Sequence, residues 1–306
     1  MVQISAVANL HLTTETQNLI QNLSFETVRF HATDPKSVDE LVARTGSAEI
    51  VLVNPHTIVS SEYLKRCSSV RHIGVCGTSV ANLDIDALVQ RNVTYSNIND
   101  YGDEPAAEFI FMQLVSLLRG VGGYQWKLEP HELMNKTLTI VGLGALGQAI
   151  ARLAVAYRMH VQYFSRTRRE AWERQGLIYG QLNDVLANSD IVVLSVPTNN
   201  LIMAAEQFMA LKPGAVLLQA SIGVISEDDA FRQWIARDGN FAIFDYSAGQ
   251  SLYLAYKDLD RVIFPQIFAA HTIETRQRMG KRIIENIENY LRSQPSAGDP
   301  EGFRTT

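Results

Sequence analysis

Short apolar runs recur along nearly the whole chain, each followed by a stretch whose apolar positions return every three or four residues. The runs at Val2–Ala8, Glu26–Phe30, Ile50–Val53, His72–Val75, Thr94–Ser96, Leu138–Val141, His160–Phe164, Ile191–Ser195, Ala215–Leu218, Phe241–Asp245 and Val262–Phe264 are rich in Val, Ile and Leu. They do not alternate strictly between polar and apolar. A strand of that kind is apolar toward both faces, as parallel strands are when helices cover each side. The strand–helix–strand rhythm predicts an α/β protein of doubly wound parallel sheets.

One long helix pattern opens near Glu104–Pro105, where a first-turn proline is tolerated, and stops at Gly120. The turn-rich stretch VGGYQWKLEPHELMNK follows it. A domain junction is expected near residues 97–103. The last helix pattern, Glu274–Arg292, is long and amphipathic, and the tail SQPSAGDPEGFRTT has the composition of a disordered end.

Composition narrows the classes. At 306 residues and 46% hydrophobic, the chain suits about two domains and needs no disulfide or metal to hold a core. A net charge of −5 argues against a general nucleic-acid-binding surface. Cys67 and Cys76 are the only cysteines, without zinc spacing and too few for a disulfide framework. No segment approaches the 18 uncharged apolar residues of a membrane span. The N-terminus MVQISAVANLHLTTETQ lacks a basic region ahead of a long apolar one, so it reads as a first strand rather than a signal peptide. The expectation is a cytoplasmic protein with a small-molecule substrate, no bound metal, no nucleic acid and no membrane contact.

The strongest motif is TLTIVGLGALGQAIA. Gly142, Gly144 and Gly147 form G-x-G-x-x-G directly after an apolar strand and directly before a helix pattern. The first glycine permits a tight turn, the second lets backbone approach a pyrophosphate, and the third lets helix and strand pack closely. The pyrophosphate then meets the free N–H groups of Ala145, Leu146 and Gly147 at the helix start. Strand, glycines, helix and next strand in succession make this a dinucleotide site. The following strand ends in Ser165-Arg166-Thr167-Arg168-Arg169. An NAD site usually carries an acid there for the ribose 2′-hydroxyl. Here Arg166 can neutralise a 2′-phosphate while Ser165 or Thr167 donates to it. The cofactor expected is NADP(H), with NAD(H) possible. The bland reading of these arginines is a solvated helix start.

Several blocks carry a wider likeness, from about Val51 to Ile284: GTSVANLDIDAL, NDYGDEPAAEF, HELMNKTLTIVGLGALG, LNDVLANSDIVVLSVPTN and MALKPGAVLLQASIG. Through them the chain resembles the D-isomer-specific 2-hydroxyacid dehydrogenases, a family that includes phosphoglycerate, glycerate, formate and phosphite dehydrogenases. The resemblance implies two doubly wound parallel-sheet domains, with a Rossmann cofactor domain inserted into a flavodoxin-like substrate domain. It divides the chain into residues 1–98 plus 286–306 for the substrate domain and 99–285 for the cofactor domain. It also implies a homodimer. By resemblance, Val196, Pro197, Ala220 and Ser221 line the cofactor, and Asp245 binds the nicotinamide amide.

The family's reaction uses a His acid/base, a Glu that tunes it, and an Arg that holds the substrate carboxylate. All three positions are substituted. Ile222 stands for the Arg in Gln219-Ala220-Ser221-Ile222-Gly223, Gln250 for the Glu, and Gln266 for the His in Pro265-Gln266-Ile267-Phe268-Ala269. Ile cannot hold a carboxylate, and Gln cannot transfer a proton. Candidate acids in the neighbourhood are His271, five residues after Gln266, and Tyr101, with Tyr246, Tyr253 and Tyr256 close to the rewritten loop. The bland alternatives are a helix-capping or surface histidine and packed tyrosines with satisfied hydroxyls. Thr78 and Asp103 join Ile222 and Gln250 as substrate-side candidates, Thr78 being otherwise a turn residue.

Three readings follow. The first is an NADP(H)-dependent oxidoreductase of this family acting on a non-standard carbonyl or imine. The second is a non-catalytic dinucleotide-binding sensor or scaffold. The third is a 2-keto acid reductase with relocated groups.

Overall fold

The computed structural model describes residues 2–197, 200–245 and 249–293. The chain forms two compact units, Met1–Tyr101 with Thr272–Thr306, and Gly102–His271. The C-terminal tail from residue 294 lies outside the described residues.

The first unit holds a parallel sheet in the order β1 (Ile4–Ala6), β2 (Ile50–Val53), β3 (His72–Val75), β4 (Thr94–Ser96). Its helices are α1 (Thr14–Leu23), α2 (Val38–Thr45), α3 (Ser61–Arg66), α4 (Ile85–Gln90) and the last helix of the chain, α12 (Ile273–Ser293). Thr13, Ser37, Ser60 and Asp84 cap the first four by accepting a backbone N–H, which satisfies donors a helix start leaves open. The strand expected at Glu26–Phe30 reduces to one parallel bridge between Phe30 and Ala6. Only Val28 of that run is buried, and its N–H donates to the Gln21 side chain rather than to a neighbouring strand.

The whole of α12 belongs to this unit, where the sequence reading divides it at residue 285. Met279, Ile283, Ile287 and Tyr290 form its apolar stripe and pack with Ile4, Ala6, Ile50 and Leu52. A side chain at Gly280 would overlap Thr16, so α12 and α1 approach closely there. Tyr290 stacks on His72, ring centroids 4.5 Å apart. The His72 nitrogens contact Thr94 Oγ1 at 2.8 Å and Ser96 Oγ at 2.9 Å. Burial lowers its pKa to about 4, so this imidazole is a neutral part of the core.

The second unit holds a seven-stranded parallel sheet. Its strands are β5 (Thr137–Val141), β6 (His160–Phe164), β7 (Ile178–Tyr179), β8 (Ile191–Leu194), β9 (Val216–Gln219), β10 (Phe241–Phe244) and β11 (Val262–Ile263). The order is β11-β10-β9-β8-β5-β6-β7. Successive residues of one strand enter different cores. Ile191 and Val193 pack with α5 (Asp103–Arg119) and α6 (Ala145–Ala156), whereas Val192 and Leu194 pack with Phe231 and Trp234 of α10 (Asp228–Ile235). That two-faced burial is why these runs show no alternation. The short helices α7 (Glu170–Glu173), α8 (Leu182–Ala187), α9 (Ala205–Ala210) and α11 (Tyr253–Tyr256) complete the layers.

From β5 the chain builds outward to β6 and β7, then returns to place β8, β9, β10 and β11 on the other side. The reversal of order lies between β5 and β8. In open parallel sheets a ligand sits outside the carboxyl ends of the strands at such a point. Among the described residues no helix is long and apolar enough to cross a membrane.

Candidate active site

The carboxyl end of β5 turns sharply at Gly142, with φ +98°. Its N–H donates to the Phe164 carbonyl at 2.8 Å, and its carbonyl accepts the Ser195 hydroxyl at 2.7 Å. The turn is thereby tied to the ends of β6 and β8. A Cβ at Gly142 would overlap the Ser195 carbonyl, and one at Gly147 would overlap the Gly142 carbonyl. Both glycines are required by close backbone approach. Gly144 differs, since nothing lies within 4 Å of where its Cβ would be. It caps α6 without a side chain, and the first turn of α6 carries no acid. The opening N–H groups of Ala145, Leu146 and Gly147 therefore have neither a capping side chain nor a negative charge ahead of them. Space, backbone donors and the positive end of a 12-residue helix converge. The fit to a pyrophosphate is good.

The loop after β6 is pinned by a small polar network. Tyr163 donates its hydroxyl hydrogen to Glu173 at 2.8 Å and accepts the Arg169 N–H at 2.8 Å. Arg168 binds Glu173 through Nε at 2.8 Å and Nη2 at 2.6 Å and lies over the Tyr179 ring. The Arg168 hydrogen bonds hold the Glu173 carboxyl down at about 2, so it is ionised and fully engaged. Arg168 is consumed in this way. Arg166 is exposed and has no ion pair among the described residues. Ser165 is half-buried and Thr167 exposed beside it.

At the ends of β8 and β9, Ser221 Oγ accepts the Val196 N–H at 2.7 Å and donates to the Leu194 carbonyl at 3.1 Å. The Ala220 N–H donates to the same carbonyl at 3.0 Å. Pro197 is exposed next to this contact. Asp245 follows β10: its N–H donates to the Gln219 carbonyl at 3.1 Å, and its carbonyl accepts the Gly249 N–H at 2.7 Å. Sequence reasoning misses Gln219 as a contributor. This buried amide donates to the carbonyls of Ser221 and Gly223, both at 3.0 Å, and so fixes the loop that carries Ile222. Its signal was present, as the one polar residue of the buried strand VLLQ.

Ile222 is 54% exposed on that loop. Gln250 and Gln266 line one hollow of about 120 Å³ together with Gly249, Tyr253 and Phe264. Gln266 is held at φ +55°, and its Nε2 donates to the Tyr253 hydroxyl oxygen at 3.0 Å. Phe264 stacks on Phe244 at 4.9 Å and receives the edge of Tyr253 at 5.3 Å. A Cβ at Gly249 would press on both phenylalanines at 2.7 and 2.8 Å, so the hollow's floor needs a glycine. Two of the three substituted positions thus meet a tyrosine in one aromatic, uncharged hollow.

The other candidates fall elsewhere. Tyr256 is buried against Phe231 and Phe244, with Arg232 over its ring. Burial, with its Asp228 hydrogen bond, pushes the phenol well up, which makes it a core tyrosine. Tyr246 lies outside the described residues. His271 is exposed, ends the second unit, and packs its ring against Phe268 at 4.8 Å. Asp103 opens α5 in the same unit. Tyr101 and Thr78 belong to the first unit. Tyr101 packs against that unit's core, and its carbonyl accepts the Arg278 Nε–H at 3.0 Å. Thr78 is exposed, and its carbonyl accepts the Asn97 amide at 2.7 Å.

Comparison with known proteins gives a consistent result. The NAD-binding domain of the D-isomer-specific 2-hydroxyacid dehydrogenases matches residues 112–247. A hydroxypyruvate reductase of Blautia hydrogenotrophica is 25% identical over 295 residues, covering 88% of this chain and 90% of its own. A glyoxylate reductase of Pyrococcus furiosus is 27% identical over 262 residues, covering 77% of each. Among solved structures, an acyclic imino acid reductase in complex with NADPH and D-Arg superimposes with a TM-score of 0.78 at 23% identity, over 96% of this chain and 98% of that one.

Proposed function

The chain belongs to the D-isomer-specific 2-hydroxyacid dehydrogenase family, and from that premise we propose that it is an NADP(H)-dependent oxidoreductase whose substrate is a neutral ketone or an imine rather than a 2-keto acid. The family brings the oxidoreductase class and a nicotinamide dinucleotide. The choice of NADP(H) and of substrate is our reading of this chain's own residues.

When bound, the cofactor supplies or accepts a hydride. Gly142, Gly144, Ala145, Leu146 and Gly147 hold its pyrophosphate. Ser165, Arg166 and Thr167 hold the 2′-phosphate, with Arg166 available because Glu173 engages Arg168 instead. Val196, Pro197, Ala220, Ser221 and Asp245 wall the nicotinamide end.

One observation carries the substrate class. The loops that leave β9, β10 and β11, three neighbours in the sheet, carry Ile222, Gln250 and Gln266. None is charged. Exposed apolar side chains accompany them: Val224, Leu254, Ile267 and Phe268. A carboxylate gains from a fixed, bidentate cation and loses by desolvation beside Ile and Phe. A neutral ketone or an imine suffers neither penalty. The solved imino acid reductase of the same fold, in complex with NADPH and D-Arg, supports C=N chemistry on this fold, but not the absence of a substrate carboxylate.

The test is deuteride transfer. Protein is incubated with NADPH deuterated at the transferring position and four probes: 2-methyl-1-pyrroline, cyclohexanone, glyoxylate and hydroxypyruvate. Deuterium is expected in the products of the first two. Faster labelling of glyoxylate or hydroxypyruvate, with inhibition by oxamate, overturns the substrate reading. Tight NADPH binding without transfer to any probe establishes the sensor or scaffold instead.

A further inference from the structure

We propose that Tyr253 is the proton donor of this site and that Gln266 positions it. The inference rests on the reductase reading and deepens it, because the family's own acid position holds a residue without a transferable proton.

The geometry is local to the second unit. Gln266 lies in a left-handed backbone conformation at φ +55°, which a non-glycine residue adopts only where its surroundings hold it there. From that position its side-chain N–H reaches the Tyr253 oxygen at 3.0 Å. An oxygen that accepts from Gln266 has its own hydrogen left to give. The phenol edge packs on Phe264 at 5.3 Å with the rings 86° apart, and Tyr253 lines the hollow with Gln250, Gly249 and Gln266, the last of which reaches its hydroxyl. Tyr256 is excluded by burial in the aromatic core. His271 does not line the hollow that contains the substituted positions.

The step balances simply. As the substrate's C=N or C=O carbon receives hydride, the π electron pair moves onto nitrogen or oxygen. That atom bonds to the Tyr253 hydroxyl hydrogen as the phenolic O–H breaks, giving an amine or alcohol and a phenolate. The Gln266 N–H, already aimed at the oxygen, stabilises the phenolate until water returns the proton. A protonated imine needs less of this help than a ketone, so a ketone probe reads the role more sharply.

The experiment compares wild type, Tyr253→Phe, Gln266→Leu and the double variant Tyr253→Phe/Gln266→Leu, using NADPH with cyclohexanone and 2-methyl-1-pyrroline. NADPH affinity is read by fluorescence and thermal midpoints by calorimetry. Tyr253→Phe keeps the ring on Phe264 and removes only the hydroxyl. It is expected to lower kcat on cyclohexanone about a hundredfold or more, less on the imine, with KM and NADPH affinity within about twofold of wild type. Gln266→Leu is expected to lower kcat about tenfold at unchanged KM, and to add no more than about twofold further loss in the Tyr253→Phe background, because Gln266 acts through the Tyr253 hydroxyl. A role in packing alone would move the thermal midpoint and leave this split absent. A Tyr253→Phe variant within threefold of wild type on cyclohexanone overturns the proton-donor assignment and leaves the reductase reading standing. A wild type that binds NADPH and reduces neither probe overturns both.

Discussion

Two ends of one sheet contrast sharply. The β5–β6 end offers backbone: a turn at φ +98°, two glycines packed against carbonyls, and the start of a helix. The β9–β11 end presents side chains: Ile222, Gln250 and Gln266 on exposed loop positions and half-buried Tyr253 at the start of α11. The first kind of site is welded into the fold, because a Cβ at Gly142 or Gly147 collides with main chain. The second can be rewritten with little cost to stability, since substitutions at exposed loop positions rarely exceed about 0.5 kcal/mol. A chain can therefore keep a family's cofactor while discarding its substrate chemistry, and the surviving glycines say nothing about what is reduced.

The hardest test of that contrast is Gly147→Val. Its side chain would meet the Gly142 carbonyl inside the turn. NADPH binding should fall by more than a hundredfold and stability by about 3 kcal/mol or more, read by fluorescence titration and urea melts. Retained binding would mean that the glycine turn is not the cradle. Arg166→Asp is the next largest. It removes a charge-assisted contact of about 1.5–3 kcal/mol and adds repulsion, so NADPH should weaken about ten- to a hundredfold while NADH holds or improves. Equal loss for both cofactors would remove the 2′-phosphate reading.

The sequence made the first end legible and the second only in part. Gly142 and Gly147 announce their roles because glycine alone fits their backbone constraints, while Gly144 leaves open space ahead of the helix. The parallel sheets were legible because Ile191–Leu194 and its neighbours are apolar on both faces. The Glu26–Phe30 run misled because only Val28 is buried and its backbone N–H goes to the Gln21 side chain in place of a strand partner. Side-chain chemistry was harder to read. Substitutions at Ile222, Gln250 and Gln266 showed what was missing, but the meeting of Gln266 with Tyr253 depends on how two loops from different strands fold over Phe264. Nothing in the spacing encodes that. Likewise, Arg166 and Arg168 look equivalent as sequence, yet Glu173 and Tyr179 engage one and leave the other.

If the second end is truly interchangeable, part of the discarded chemistry should be restorable there. Ile222 is exposed on a loop fixed by Gln219, so Ile222→Arg should fold normally. It should strengthen oxamate binding about tenfold, the worth of one charge-assisted contact in partly solvated surroundings, and leave NADPH affinity unchanged. Calorimetric titration of the variant with oxamate measures both. No gain in oxamate affinity would mean that the loop does not face the substrate.

The smallest effect separates protein charge from ligand charge at the first end. A phosphomonoester takes its second proton near pH 6. In the β6 loop, the Arg168 contacts hold Glu173 down at about 2, so its carboxylate stays ionised and its grip on Arg168 does not change between pH 5 and 8. Any pH dependence of cofactor affinity from this loop must then come from the 2′-phosphate. Arg166 favours the dianion, which lowers the bound phosphate's pKa below its free value. The free ligand therefore takes up a proton first as pH falls, and NADPH affinity declines from about pH 6 downward, levelling off below the bound value. A shift of about one unit corresponds to a three- to tenfold loss by pH 5. NADH has no such phosphate and should show no decline over the same range, and Arg166→Asp should flatten the NADPH curve. Parallel declines for both cofactors would trace the effect to the protein and break the assignment of Arg166 to the phosphate.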